Sequence, residues 1–398
     1  MTTLTPLLTV PFEDPSLLAI SSRYAELREA EPVCRVRTPA GDPAWLVTRY
    51  HDVKALLGDE RLGRSHSSPL TAPRYVAGAI AGGPVMDPAT EKNDHGNIRK
   101  AMSRPFGGRR MHGLRLLVES IVRELVDDIV HTGPPVDLHE RFSLPLPQQV
   151  LLRLLGVPAE DHDLVQKAVQ SSLLMHDADA ALAALADLTG HAQRLIEQKR
   201  RQPDESLLSE IISTADQHGL ISDALLTLTV DALLIAGQVT MTGRLDLATV
   251  LLLQHPAQLE RLIQDPTLVP GASEELLRLT QTPRDLALRY AKDDIDCHGV
   301  TIRTGELVLL LLASANRDPR VFTDPSRFDI TRSPNPHLAF GHGPASCVGA
   351  TLARLQMQAA LRILFGTLPT LRLAVPFDAL ELRPDVLGAG LVTLPLTW

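Results

Sequence analysis

The segment Phe340-Gly341-His342-Gly343-Pro344-Ala345-Ser346-Cys347-Val348-Gly349-Ala350 decides how the whole chain is read. Its glycines let backbone come close to something flat and bulky with no Cβ in the way. Cys347 stands just before a helix that the sequence starts near Val348. There, unpaired N–H groups and the positive end of the helix dipole favour a thiolate. Three plainer explanations compete. A solitary cysteine is usually a small buried hydrophobe. A zinc site from His337, His342 and Cys347 lacks a fourth ligand nearby. A nucleophilic cysteine needs a general base, and the sequence identifies none.

Around this segment most of the chain reads as helix. Residues 114–130 place apolar side chains at helical spacing with acids and arginines opposite. Similar patterns recur near 147–155, 179–200, 222–254, 256–264 and 350–366. The longest, 222–254, is apolar on nearly every face in its middle, which predicts a helix crossing the interior of a large domain. Strand signals cluster instead: 32–37 and 44–48 about the Gly41-Asp42-Pro43 turn, 296–302 and 307–311 about Thr304-Gly305, then 371–375 and 391–396. Residues 61–94, rich in Gly, Pro, Ser and Ala, read as one long loop of the kind that carries function. The expectation is a mainly α fold with a small β-rich part, residues 1–398 forming a single domain.

Composition narrows the function. A net charge of −8 argues against nucleic acid as a partner. Cys34, Cys297 and Cys347 lie far apart with no C-x-x-C spacing, a reduced, cytoplasmic pattern. The N-terminal MTTLTPLLTVPFEDP has no basic region and does not read as a signal peptide. No uninterrupted apolar run approaches the ~18 residues of a membrane span. A protein of the cytoplasm, off the membrane and monomeric, is expected.

The run from Phe340 to Gly349 resembles the haem-binding segment of the cytochrome P450 family, F-G-x-G-x-x-x-C-x-G, at every fixed position. The resemblance implies a cytochrome P450 fold holding haem b, with Cys347 as axial ligand to the iron and Phe340, Gly341 and Gly349 in the same cofactor-binding segment. One departure matters: relatives usually carry a histidine two residues before the cysteine, against a haem propionate, and this chain has Ala345.

Further matches follow in the family's order. Glu275 and Arg278 form E-x-x-R, and Arg327, in Asp324-Pro325-Ser326-Arg327-Phe328, matches the third member of the family's Glu-Arg-Arg network. Asp94-His95-Gly96-Asn97-Ile98-Arg99 resembles D-H-x-x-x-R, with His95 and Arg99 on one helical face. Arg289 stands at the spacing of a propionate-binding arginine. With no histidine at position 345, the resemblance assigns the propionates to Arg99, His95 and Arg289.

The family's oxygen-activating helix carries A/G-G-x-[D/E]-T, and here it reads Ala236-Gly237-Gln238-Val239-Thr240-Met241-Thr242. By resemblance Gly237 opens room over the haem and the Thr240 hydroxyl organises water beside the bound oxygen. A mid-helix threonine also bonds its own i−4 carbonyl. The acid is missing, because Val239 stands in its place. Gln238 with ordered water, a polar group on the substrate, or a reaction that leans less on protons would each repair the gap.

The resemblance therefore implies a monooxygenase that oxidises a small molecule with O2, in natural-product biosynthesis. Its electrons come from NAD(P)H through a ferredoxin and a ferredoxin reductase. Arg99, Lys100, Arg104, Arg109 and Arg110 form a basic cluster suited to an acidic ferredoxin. Substrate contacts are expected from 61–94, from 165–185, from Leu233, Ala236, Val239 and Met241, from Leu286, Ala287 and Leu288, and from 388–391 with Ala389. These surfaces read as aliphatic, which suggests an apolar, bulky ligand. Two alternatives stay open: an oxidase that couples, cyclises or desaturates, favoured by Val239, and a non-enzymatic haem-binding sensor.

Overall fold

Val33–Arg37 and Pro43–Val47 pair antiparallel across the expected turn, Val33 opposite Val47 and Arg37 opposite Pro43. They belong to a six-stranded sheet in the order Leu8–Thr9, Val33–Arg37, Pro43–Val47, Leu307–Leu311, Leu286–Ala291, Leu62–Gly63. Leu307–Leu311 is buried at every position because both faces of the sheet are covered. Val308 and Leu310 join one apolar cluster with Val53 and Phe322, while Leu307, Leu309 and Leu311 join another with Tyr24 and Val36. The stretch 296–302 does not pair with 307–311. It closes on itself as a hairpin, Ile295–Cys297 against Val300–Ile302.

The computed structural model describes residues 7–76, 82–174, 177–219, 221–383 and 390–398. Where one integrated domain is expected, the contacts group into two units, each built from separated stretches of chain. The sheet lies in the first: Met1–Glu91, Gln281–Phe328 and Pro334–Cys347. The second, Lys92–Thr280, Asp329–Ser333 and Val348–Trp398, is helical. It also carries a small sheet of Arg372–Leu373, Pro395–Thr397 and Val136–Asp137.

The long helix of the second unit is Asp223–Leu253. Ser222 starts it, its hydroxyl accepting the Leu225 N–H at 3.2 Å. By length and composition it could cross a membrane. Its apolarity has a local reason, since it packs against Pro145–Leu155, Ala178–Arg201 and Val269–Leu279. Helices at Arg115–Thr132, Pro256–Gln264 and Ala350–Thr367 match the periodic segments within two residues. Arg23–Ala30, Tyr50–Leu57 and Leu207–His218 are helices that the apolar periodicity did not single out.

Candidate active site

The Cys347 loop belongs to the first unit and is held from its buried end. The Leu338 N–H donates to Asn316 Oδ1 at 2.7 Å, and the Gly341 N–H donates to the Leu338 carbonyl at 2.8 Å. Gly341 and Gly343 have φ of 69° and 71°, which glycine alone adopts without strain. The Cys347 N–H then closes back on the Phe340 carbonyl at 2.8 Å. Cys347 is exposed, whereas Cys34 is buried. Burial, and then Glu31, push the Cys34 thiol up to about 12. Cys347 is therefore no buried hydrophobe. Among the described residues His337, His342 and Cys347 form no three-donor metal group. Gly343 has a different reason from the one expected. A Cβ there would come 2.9 Å from Gly58 Cα, so the close approach is to the protein's own backbone.

Arg289, on the strand Leu286–Ala291, is buried, and its Nη1 donates to the Leu288 carbonyl at 2.8 Å. Burial, then the charge of Arg64, pull its pKa down to about 10. The pKa of Arg64, which sequence reasoning missed, is also lowered by loss of solvation around its guanidinium, with Glu91 opposing the shift. The nearby carboxylate, Glu91, is turned to the Arg64 N–H (2.6 Å), to Ser65 and to Lys292 Nζ (3.0 Å). Two dehydrated guanidiniums that repel one another suit an anionic group lying against both. An accessible cysteine and two such cations in one unit fit the thiolate and propionate needs of a haem.

The E-x-x-R pair lies on the helix Val269–Leu279 and is wholly buried. Arg278 Nε and Nη2 reach the two oxygens of Glu275, each at 2.8 Å. The third member differs from the one expected. Arg332 Nε donates to Glu275 Oε1 at 3.0 Å, and the Asp329 N–H donates to the same oxygen at 3.1 Å. Arg327, by contrast, is exposed. Both arginines flank one short turn, and only the turn's path decides which one enters the interior.

On the long helix, Leu228, Ala232, Ala236 and Thr240 form an accessible stripe four residues apart. Thr240 Oγ1 donates to the Ala236 carbonyl at 2.9 Å and keeps its own lone pairs for another donor. Leu233 and Val239 are half-buried beside the stripe. Met241 is 3% exposed, packed into the unit and not on the stripe. Gly237 faces a neighbouring helix. A Cβ on it would lie 2.6 Å from Leu151 Cδ1, so the glycine leaves room for the end of that side chain on Pro145–Leu155.

Gln238 is buried, and neither atom of its amide has a hydrogen-bond partner. With Val239 and Thr242 it lines a cavity of about 50 Å³. Val169, Gln170 and Leu173 contribute another wall, and Gly390 another. Three of the segments expected to touch substrate thus meet, and the lining is mixed: Leu144, Val169, Leu173 and Val239 share it with Gln148, Gln170, His139 and Arg383. Ala389 lies outside the described residues. His139 Nδ1 pairs with Asp246 Oδ2 at 2.7 Å, and the Leu391 N–H donates to the same oxygen at 3.0 Å. Burial alone would lower His139, yet the Asp246 hydrogen bond and charge raise its pKa above the ordinary value.

Leu286, Ala287 and Leu288 are half-buried on their strand in the first unit. His95 and Arg99 are half-buried on Glu91–Ser103. In the basic cluster, Lys100, Arg104 and Arg109 are exposed. Arg110 is engaged instead, with Nη2 donating to the Glu205 carbonyl at 2.6 Å.

Comparison with known proteins gives these features a common frame. The family model for cytochrome P450 matches residues 149–368. The mycinamicin IV hydroxylase/epoxidase of Micromonospora griseorubida is 39% identical over 98% of both chains. The nocardicin C N-oxygenase of Nocardia uniformis is 40% identical, again over 98% of both. Among solved structures, the cytochrome P450 hydroxylase of the leinamycin biosynthetic pathway of Streptomyces atroolivaceus superposes with a TM-score of 0.88. It is 37% identical, over 98% of this chain and 100% of that one.

Proposed function

The chain belongs to the cytochrome P450 family, and we propose that it is a haem-thiolate monooxygenase in which Cys347 is the iron's axial ligand. The carrying observation is the exposed Cys347 at the end of a loop that Asn316, Leu338 and Phe340 hold in place. Haem b, when bound to a thiolate, supplies the activation of dioxygen. Every other task falls to the chain's own residues. Arg289 and Arg64 would hold propionate charge, Arg64 standing in for the histidine absent at Ala345. Phe340, Gly341 and Gly349 complete the cofactor-binding segment.

Thr240 orients a proton donor with its free lone pairs while its own proton is committed to Ala236. Val239 cannot carry a proton, so water held by Gln238, or a polar group of the substrate, takes that part. Leu233, Ala236 and the strand residues 286–288 offer apolar surface, whereas Gln148, Gln170 and Arg383 offer polar surface. The substrate is accordingly a natural-product scaffold, largely apolar but bearing a polar group. Electrons come from NAD(P)H through a ferredoxin and its reductase, docking on Lys100, Arg104 and Arg109. The enzyme works in the cytoplasm. Val239 favours a second reading, oxidation by coupling or desaturation without oxygen insertion.

The test is spectroscopic. The reduced carbonyl complex of the purified protein should show the red-shifted band of thiolate ligation, and Cys347→His should keep some haem but lose that band. Retention of the band in Cys347→Ala would remove the ligand assignment.

A further inference from the structure

One cluster in the first unit has no part in the chemistry above. Asp52 sits in the first turn of the helix Tyr50–Leu57, and Cys297 ends the strand Ile295–Cys297. His298 and Gly299 make the hairpin turn, with φ of 51° and 77°. Successive residues of a strand point to opposite faces, so neighbouring side chains do not normally converge. The left-handed backbone of His298 breaks that alternation and turns its ring back, where Nε2 meets Asp52 Oδ2 at 2.8 Å. Cys297 Sγ joins them: the three donor atoms all lie within 4.8 Å of one another. Asn-Gly is the usual occupant of a two-residue turn with both φ positive. Histidine here brings a metal donor to a place where asparagine would serve the backbone better.

We infer that Asp52, Cys297 and His298 form a zinc site. Thiolate, imidazole and carboxylate are the donors Zn2+ takes, and its bonds of about 2.0–2.3 Å place tetrahedral donors roughly 3.4–3.8 Å apart. Closing from the observed separations needs side-chain shifts of about 1 Å. Two anionic donors balance the ion's charge. The side chains of His298 and Asp52 are 36% and 18% exposed, which leaves an open side for water as fourth ligand. A coordinating thiol must give up its proton, so metal binding at Cys297 releases a proton to solvent. The bound ion ties the helix to the hairpin. A bare ion pair between Asp52 and His298 is the competing account, and it gives no affinity for metal.

The experiment uses holoprotein dialysed against a chelator and then titrated with zinc chloride by calorimetry. Retained metal is counted after desalting, and alkylation of Cys297 by iodoacetamide is followed on its peptide. One Zn2+ per chain and at least about tenfold slower alkylation are expected. Cys297→Ser and His298→Asn should each weaken binding by more than the roughly 10–100-fold that losing a supporting contact costs. Asparagine keeps the turn, so loss of binding in His298→Asn reports the donor and not the fold. No retained zinc, or stoichiometric zinc that survives both His298→Asn and Asp52→Asn, overturns the assignment.

Discussion

Replacing each arginine around Glu275 in turn separates a structural network from a mere cluster of charges. Glu275 Oε1 accepts from Arg278 Nη2, the Asp329 N–H and Arg332 Nε, and Oε2 accepts from Arg278 Nε. Glu275 and Arg278 have no exposed surface, and the Arg332 side chain is 11% exposed. Glu275→Ala leaves the buried Arg278 without its carboxylate and strips Arg332 of the same partner, costing about 3–5 kcal/mol. Arg278→Ala removes a two-pronged pair and belongs in the same range. Arg332→Ala leaves the Glu275–Arg278 pair intact and removes the charge-assisted hydrogen bond to Glu275 Oε1, itself worth about 1.5–3 kcal/mol. Arg327→Ala, at an exposed position, should cost less than Arg332→Ala. Against a typical total stability of about 5–15 kcal/mol, the first two should sharply reduce folded holoprotein. Urea unfolding followed by far-UV circular dichroism gives the order, and the carbonyl difference band gives haem content. If Arg327→Ala matched or exceeded Arg332→Ala, the assignment of the third member to Arg332 would be refuted.

Three further expectations follow from particular residues. Gln238→Leu removes a buried amide without partners, so stability should hold or rise. Product formed per NAD(P)H consumed should fall in the same variant, and a drop in stability above about 1 kcal/mol would show that the amide is bonded after all. His139 has a raised pKa, so its pair with Asp246 contributes fully below the ordinary histidine value of 6.5 and is lost as pH rises through the folded value. The melting temperatures of wild type and Asp246→Asn should therefore converge from about pH 6.5 upward, and a constant difference would count against the ion pair. Reversing Arg104 and Arg109 to Glu should slow reduction by ferredoxin at low salt with substrate affinity unchanged. An unaltered rate would take this patch out of consideration.

Local chemistry was legible in the sequence. Gly341 needs its backbone freedom wherever the Cys347 loop lies, and a run apolar on every face becomes an interior helix whatever it packs against. The E-x-x-R spacing puts both charges on one helical face, and the leucines around them require burial. These readings depend on residues within a turn or two of each other. The sequence could not choose between Arg327 and Arg332, because both residues have identical chemistry and only the fold of the turn buries one. Nor could it join His139 to Asp246, 107 positions apart, or show that Gly237 and Gly343 make room for Leu151 and Gly58. Arg64 had no motif around it, and its importance lies in lying close enough to Arg289 to repel it. Periodicity and motif report what the chain does over a few residues. Burial, pairing and close approach are set by distant segments brought together, and those only the tertiary structure decides.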